Sequence, residues 1–184
     1  MWCPTQKSAE LFRRAANIKA LVVDVDGVLT DGRIIHNDEG MQTKMFNSLD
    51  GFGIQLAKRA GLITGVISAS NSPAIRHRAA QSGFDAVYIG SFEKLNGYRD
   101  FKKQYSLEDR EICYIGDDLP DLPLLQKVGL PVAVSNAADA VKQQVAFHTQ
   151  KNGGQGAMRE AIDFIIFAQG KRDEVLTQVL KSFK

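Results

Sequence analysis

The sequence predicts a doubly wound, mostly parallel α/β sheet. Short apolar runs rich in β-branched residues alternate with segments of helical periodicity, and Gly, Pro or acidic residues close most of these runs. A length of 184 residues suits one domain, and no repeat, low-complexity tract or linker divides residues 1–184. In such sheets, functional groups collect at the carboxyl ends of the strands.

Composition narrows the class of protein. The 23 Lys and Arg residues against 21 Asp and Glu give a net charge of +2, without a basic run interleaved with aromatics, so nucleic acid is not an expected partner. The cysteines and histidines have neither CxxC nor zinc-site spacing. The N-terminus lacks an apolar signal core, and no run approaches the roughly 20 apolar residues that span a bilayer. We expect a soluble, cytoplasmic protein with no membrane partner.

The first third of the chain should deliver the sheet's central strand and a hairpin. Ser8 is expected to cap a helix over 9–16, which leads to a buried strand over 18–23. Residues 33–46 are typical of two strands around a turn at 37–40. An ordinary edge hairpin and an active-site flap are both compatible with this stretch.

The remaining elements alternate. Asp50 is expected to cap a helix that Gly61 stops. Further strands are predicted at 63–68, 86–89, 111–115, 132–134 and 145–148. Further helices are predicted at 73–83, 93–105, 120–128, 137–143, from about 156 to 165, and 173–182.

Two carboxylates follow the first core strand. Side chains two apart on an extended segment face the same way, so Asp24 and Asp26 should lie together at its carboxyl end. Such a pair is tolerated when a cation binds between them or when one carboxyl is protonated, and Mg²⁺ is the natural cation. An acidic turn exposed to water is the alternative.

Further polar residues fall at the same edge of the sheet. Ser68 ends the second core strand, Lys94 follows the third, and Asp117, Asp118 and Asp121 follow the fourth. Individually they also suit a helix-capping hydroxyl, a solvated lysine and acids at a helix N-terminus. Their convergence with Asp24 and Asp26 favours a functional site.

These residue types suit phosphoryl transfer through an aspartyl phosphate. Asp24 would be the nucleophile, and Asp26 would give a proton to the leaving oxygen and later take one from water. Ser68 would donate a hydrogen bond to the phosphoryl group, and Lys94 would compensate its charge.

The same interpretation predicts a Mg²⁺ site. Asp24, Asp117 and the backbone carbonyl of Asp26 would bind the ion. Asp118 and Asp121 would support the metal site or its lysine.

At these residues the chain resembles the haloacid dehalogenase superfamily, whose four motifs match 24–27, Ser68, Lys94 and 116–121 in order. Within it, four longer stretches resemble the 3-deoxy-D-manno-octulosonate 8-phosphate phosphatase family. They are residues 24–32, 46–53, 114–123 and 153–160.

The resemblance implies a Rossmann-like core, Mg²⁺, and a sugar-acid phosphate substrate in lipopolysaccharide precursor synthesis. It also implies a homotetramer in which a neighbour covers the active site and the hairpin at 33–46 packs at the interface. No large cap domain is expected, because the 41 residues between Asp26 and Ser68 suffice only for a hairpin and a helix.

Two positions depart from the family pattern. Relatives usually have Arg where this chain has Ser70, and a basic or polar residue where it has Leu49. A missing arginine removes a bidentate partner for the sugar carboxylate, and Ser70 cannot replace it. The loop at 153–156 can present N–H groups to an anion or be a plain turn. Candidate replacements for the arginine are Arg76, Arg78 and Arg159.

Three alternatives to the octulosonate phosphatase remain open at this stage. A related phosphatase for a nonulosonate 9-phosphate fits the altered second motif. A phospho-receiver module also uses paired acids, a hydroxyl and a lysine, but it places the accepting aspartate on a later strand. A non-catalytic phosphate-binding scaffold is the third, and the intact set of acids, hydroxyl and lysine argues against it.

Overall fold

The computed structural model describes residues 6–182. Within that range the chain forms a six-stranded sheet, a separate two-stranded hairpin and flanking helices. The strands are β1 (Ala20–Val23), β2 (Ile35–His36), β3 (Gln42–Thr43), β4 (Ile63–Ser68), β5 (Ala86–Ile89), β6 (Ile112–Gly116), β7 (Leu130–Ala133) and β8 (Phe147–His148). The α-helices are α1 (Gln6–Ala16), α2 (Ser48–Arg59), α3 (Pro73–Ser82), α4 (Lys94–Tyr105), α5 (Leu122–Leu125), α6 (Asp139–Lys142), α7 (Ala157–Ala168) and α8 (Arg172–Lys181).

The large sheet is parallel, with strand order β5-β4-β1-β6-β7-β8. Strand β1 lies between β4 and β6, with Val23 opposite both Val66 and Ile115. The chain leaves β1 toward one edge and later returns to build the other edge from β6. The carboxyl ends of β1 and β6 therefore form a topological switch point, where open α/β sheets bind ligands.

Apolar side chains cover both faces of this sheet. All four residues of β1 and all five of β6 are buried, as parallel strands between helix layers require. Helix α7 packs against α1, α2 and α8, while α4 packs on β4, β5 and α5. At Gly65 the missing side chain lets the Phe101 ring lie directly on β4, since a Cβ there would come within 2.8 Å of it.

The structure confirms the predicted fold class and corrects several boundaries. The first strand is shorter than 18–23, because Ile18 and Lys19 precede the ladder. Helix α1 begins at Gln6 rather than after Ser8, whose side chain lies outside the described part of the chain. The helix predicted over 120–128 is a 3-10 turn, Leu119–Asp121, followed by the short α5.

The predicted cap of α2 is wrong. Asn47 is the N-cap, because its side-chain oxygen accepts the Leu49 N–H at 2.8 Å. Asp50 lies in the first turn with its carboxylate buried and directed at another helix. The stop of α3 is as predicted: Gly83 takes the left-handed conformation, with φ 82°, that ends a helix.

The hairpin of β2 and β3 has its turn at residues 37–40, as predicted. It is a separate two-stranded sheet and not an edge of the large one. Between Asp26 and Ser68 the structure has only this hairpin and α2, so no large cap domain stands there. Among residues 6–182, no helix has the length and apolar character that crossing a bilayer demands. Cys113 is an unpaired, buried thiol in β6.

Candidate active site

The turn after β1 is built by Thr30 and Gly27. The buried Thr30 hydroxyl accepts the N–H groups of Gly27 and Gly32 at 3.3 and 3.2 Å. Gly27 has φ 93°, and a Cβ there would lie 2.0 Å from an Asp117 carboxylate oxygen. Only glycine therefore allows this turn to approach the end of β6 so closely. Asp24 opens the turn, with its N–H donating to Ile115 at 3.0 Å.

Lys94 lies between two buried carboxylates. Its ammonium nitrogen is 3.1 Å from Asp24 Oδ1 and 2.6 Å from Asp121 Oδ1, and all three side chains are at most 8% exposed. Lys94 is the first residue of α4, and its burial rules out the alternative of a solvated helix residue. The sheet brings the carboxyl ends of β1 and β6 to the start of α4, and this places the cation between the two acids.

Asp121 is held by four donors. Its Oδ1 accepts from Lys94 and from the Tyr114 hydroxyl at 2.5 Å, and its Oδ2 accepts the N–H groups of Asp117 and Asp118 at 2.9 and 3.3 Å. Sequence reasoning missed Tyr114. The sequence contained a signal for it, because Tyr114 is a hydroxyl-bearing residue inside the apolar run of β6. A tyrosine buried in such a strand usually needs a hydrogen-bond partner.

The positive charge of Lys94 is too small to balance the buried carboxylates of this site. Burial, and next the Asp121 carboxylate, raise the pKa of Asp24 to about 7. Burial and the Asp24 carboxylate raise the pKa of Asp117 to about 8. Burial opposes the Lys94 charge, but Asp24 and Asp121 outweigh it and raise the pKa of Lys94. One lysine does not neutralise three carboxylates, and the site therefore favours a further cation.

The donor set fits a hard divalent cation. Asp24, Asp117 and Asp121 each have a carboxylate oxygen within 4.8 Å of the other two. Both oxygens of Asp121 already accept hydrogen bonds. Asp117 is only partly buried, and its carboxylate lies next to the Gly27 turn. All-oxygen ligands of this kind suit Mg²⁺.

Asp26 is paired with a lysine that the sequence analysis did not single out. The ammonium group of Lys44, just after β3, forms an ion pair with Asp26 Oδ1. The Lys44 side chain is 3% exposed and that of Asp26 is 39% exposed. Asp26 lies in the turn after β1 rather than on an extended segment. A lone lysine among the apolar residues of the hairpin was the available signal.

Ser68 and Asp118 occupy the edges of this site. Ser68 ends β4 beside β1, is 2% exposed, and its hydroxyl accepts the Ser70 N–H at 3.2 Å. It does not cap α3, whose N-cap is Ser72. Asp118 is exposed and caps the 3-10 turn through the Leu119 N–H at 2.8 Å.

Among residues 6–182, none of the three candidate arginines forms an ion pair with the carboxylates at the ends of β1 and β6. Arg76 is exposed on α3. Arg78 donates to the Asn47 carbonyl oxygen at 3.0 Å, and the Arg159 guanidinium pairs with Asp163 at 2.9 Å. Arg159 also lines a cavity of about 480 Å³ between α2, α7 and α8 that contains none of the site's carboxylates.

Comparison with known proteins defines the class. The sequence profile of the haloacid dehalogenase-like hydrolases matches residues 66–160, which include Ser68, Lys94 and the Asp117–Asp121 cluster. A haloacid dehalogenase superfamily (subfamily III A) protein from Legionella pneumophila superposes with a TM-score of 0.92 at 42% identity, over 95% of this chain and 96% of that one. The chain thus has the fold of a haloacid dehalogenase-like hydrolase and belongs to that class.

Two further relatives specify the family. The 3-deoxy-D-manno-octulosonate 8-phosphate phosphatase of Escherichia coli (strain K12) is 36% identical over 96% of this chain and 94% of its own. The Moraxella catarrhalis phosphatase of the same name, solved with magnesium, phosphate and a KDO molecule, has a TM-score of 0.89 at 35% identity, over 92% of this chain and 98% of that one. The chain belongs to this phosphatase family, and this excludes the phospho-receiver alternative.

Proposed function

We propose that the protein hydrolyses 3-deoxy-D-manno-octulosonate 8-phosphate with Mg²⁺, through an aspartyl-phosphate intermediate. The observation that carries the mechanism is the Lys94 ammonium group bound between Asp24 and Asp121 at the switch point of the sheet. The family and the magnesium and KDO found in its Moraxella catarrhalis member support the substrate and the ion.

In the first step, a carboxylate oxygen of Asp24 attacks phosphorus while the bond to the sugar oxygen breaks. Asp26 gives its proton to that leaving oxygen, and the Lys44 ammonium group then neutralises the Asp26 carboxylate. Lys94 compensates charge on the nucleophile and on the phosphoryl group, and the Ser68 hydroxyl donates a hydrogen bond to the latter.

In the second step, water attacks the phosphorus of the Asp24 ester. Asp26 accepts the proton from that water, the bond between phosphorus and Asp24 breaks, and inorganic phosphate leaves with the Asp24 carboxylate restored. Asp26 is suited to both roles because it lies at the border of the buried site, where substrate and water reach it.

Asp24, Asp117 and the backbone carbonyl of Asp26 would hold Mg²⁺, which supplies charge neutralisation at the phosphoryl group when bound. Asp121 positions Lys94 and the backbone of Asp117 rather than binding the ion, because all its acceptor positions are used. Asp118 supports the same turn as its cap.

A nonulosonate 9-phosphate is the second candidate substrate, and Ser70 is the observation that favours it. Ser70 follows Ser68 after β4, and its hydroxyl accepts the Ser72 N–H at 3.4 Å, whereas the guanidinium groups of Arg78 and Arg159 contact Asn47 and Asp163. The pocket for the sugar acid can thus differ from that of the family.

The proposed setting is lipopolysaccharide precursor synthesis in the cytoplasm. The proposed assembly is a homotetramer with the hairpin at the interface. Exposed apolar side chains on the hairpin support that assembly, with Ile34 71%, Met41 60% and Met45 67% exposed.

Phosphate release from a panel of sugar phosphates tests the proposal. Octulosonate 8-phosphate, nonulosonate 9-phosphate and a neutral hexose 6-phosphate would be compared with Mg²⁺ and with EDTA, beside an Asp24→Asn variant. We expect selective turnover of the octulosonate ester, lost with EDTA and with the variant. Preference for the nonulosonate ester would replace the substrate, and no turnover by folded protein would favour the non-catalytic scaffold.

A further inference from the structure

The N-terminus of α7 faces an anion from elsewhere in the chain. The Asp50 carboxylate, on α2, accepts the Arg159 N–H at 2.9 Å, and the Gly156 N–H also faces it. Asp50 is only 3% exposed. A buried carboxylate is costly without compensation, and the N–H groups and dipole of the helix start offset part of that cost, although Asp50 Oδ2 has no hydrogen-bond partner among residues 6–182. Of the two alternatives for the loop at 153–156, an anion site or a plain turn, the N–H groups at this helix start thus face an anion of the protein itself.

The start of α2 also forms a hydrogen bond to the glycine loop at 153–156. The Asn47 side-chain amide donates to the Gly154 carbonyl oxygen at 3.1 Å. Asn47 is in turn fixed by Arg78, which donates to its carbonyl oxygen at 3.0 Å. Asn47 and Asp50, both at the start of α2, therefore hold the loop and the helix that follows it.

The glycine loop lies directly on the acidic turn after β1. The Gly154 N–H donates to the Val28 carbonyl oxygen at 2.9 Å. A Cβ on Gly153 would lie 1.7 Å from the Gly27 carbonyl oxygen, and a Cβ on Gly154 would lie 2.6 Å from the Asp31 nitrogen. Backbone thus packs on backbone, and a shift of the loop must displace the turn that carries Asp26 and Gly27.

We infer that Asp50 is a positioning residue, which locks the glycine loop against the Asp24–Gly32 turn and so fixes Asp26 relative to Asp24 and Asp117. This inference rests on the proposed hydrolase function. Burial raises the pKa of Asp50, although the N–H groups of α7 oppose that shift. The residue acts through the loop and does not touch the reacting atoms.

The test compares Asp50→Ala, Asp50→Asn and a matched control, Asp85→Ala. Like Asp50, Asp85 is a carboxylate that accepts a backbone N–H of another element: it accepts from the Thr64 N–H and hydroxyl, both at 2.8 Å. Thr64 lies at the amino end of β4, away from the site. Asn at position 50 keeps an oxygen for the Arg159 N–H, whereas Ala does not. Amide hydrogen exchange of the full chain reports on loop position without any substrate.

In Asp50→Ala we expect the amides of 25–32 and 152–158 to exchange about 10-fold faster or more, with β6 unchanged. With p-nitrophenyl phosphate and Mg²⁺, kcat should fall about 10-fold or more while KM changes less than about 3-fold. Asp50→Asn should recover most of both effects, and Asp85→Ala should lower the melting temperature without either.

Faster exchange confined to 156–160, with 25–32 at the wild-type rate, would overturn the inference and leave Asp50 a helix cap. If Asp50→Ala does not fold, Asn47→Asp takes its place, since it keeps an oxygen for the Leu49 N–H but removes the amide group that donates to Gly154. A wild-type protein that turns over no ester would refute the proposed function, while the exchange comparison would still decide the position of the loop.

Discussion

The ammonium group of Lys44 forms an ion pair with the carboxylate of Asp26, and it is the contact through which the hairpin reaches the acidic turn. The Lys44 side chain is 3% exposed, although its neighbours Met41 and Met45 are 60% and 67% exposed. The hairpin therefore turns Lys44 inward, while Arg33 and the apolar residues Ile34, Met41 and Met45 face outward. This geometry fits a flap over the site rather than an ordinary edge hairpin.

Replacing Lys44 with Met tests that role. Met has a similar volume without the charge, so Asp26 loses its partner and the hairpin loses its anchor. We expect kcat to fall roughly 10- to 100-fold and the hairpin at 33–46 to be cleaved faster in limited proteolysis. Lys19→Met is the control, because Lys19 pairs with Glu111 while 65% exposed. Equal kcat and equal cleavage in the two variants would contradict a flap anchored by Lys44.

Removing the charge of Asp121 should lower the stability of the folded protein. Asp121→Asn leaves Lys94 with one carboxylate and turns an amide group toward donors, and breaking a buried pair costs about 3–5 kcal/mol. Thermal unfolding should then shift down by roughly 10 °C. Tyr114→Phe removes one donor to the same carboxylate, and we expect a smaller loss, about 1.5–3 kcal/mol. A Tyr114 variant less stable than the Asp121 variant would refute this ranking.

The acidic cluster should make stability depend on pH and on Mg²⁺. The folded pKa of Asp117, about 8, lies above its ordinary value of 3.8. A raised carboxyl pKa gives stability that is full below about pH 4 and lost as the pH rises through about 8. Mg²⁺ binds the ionised form, so its stabilising effect should grow over the same range.

Melting temperatures in EDTA and in Mg²⁺ measure this, with Asp117→Asn as the reference that cannot titrate. In EDTA we expect equal values near about pH 4 and a wild type that falls progressively below the variant, by roughly 10 °C near about pH 9. Added Mg²⁺ should raise the wild type and not the variant. A wild type that gains stability over Asp117→Asn as the pH rises in EDTA would show the opposite sign.

Alanine variants of Gly27 and Gly61 separate the effect of backbone strain from that of the close contact between Gly27 and Asp117. Both have a left-handed backbone, with φ 93° and 79°, but a Cβ on Gly27 meets Asp117 at 2.0 Å and one on Gly61 meets nothing within 4 Å. Each Ala variant should lose about 1–3 kcal/mol through backbone strain. Gly27→Ala should in addition lower kcat/KM about 100-fold or more and raise the Mg²⁺ concentration needed for half activity. Equal kcat/KM for the two variants would contradict the close contact.

The fold class could be predicted from the sequence, because the signals for strands and helices are local. Runs such as 63–68 and 86–89 are long enough and apolar enough to be strands, and Gly83 stops α3 where its left-handed conformation is needed. Placing Asp24, Lys94 and Asp117 at one edge required only the rule that parallel strands end together. The helix predicted over 126–128 was wrong, because the apolar spacing there is also compatible with the turn that the structure shows.

The pairing of acids with cations could not be predicted from the sequence, because the partners are far apart in it. Lys94 binds Asp121 across 27 positions, Lys44 binds Asp26 across 18, and Asp50 reaches Arg159 across 109. The pattern around Asp50 is as typical of an N-cap as of a buried contact, and the local sequence does not contain the helix that Asp50 meets. Such pairs depend on how helices pack on the sheet, and the free energy of burying each charge depends on partners that packing alone supplies.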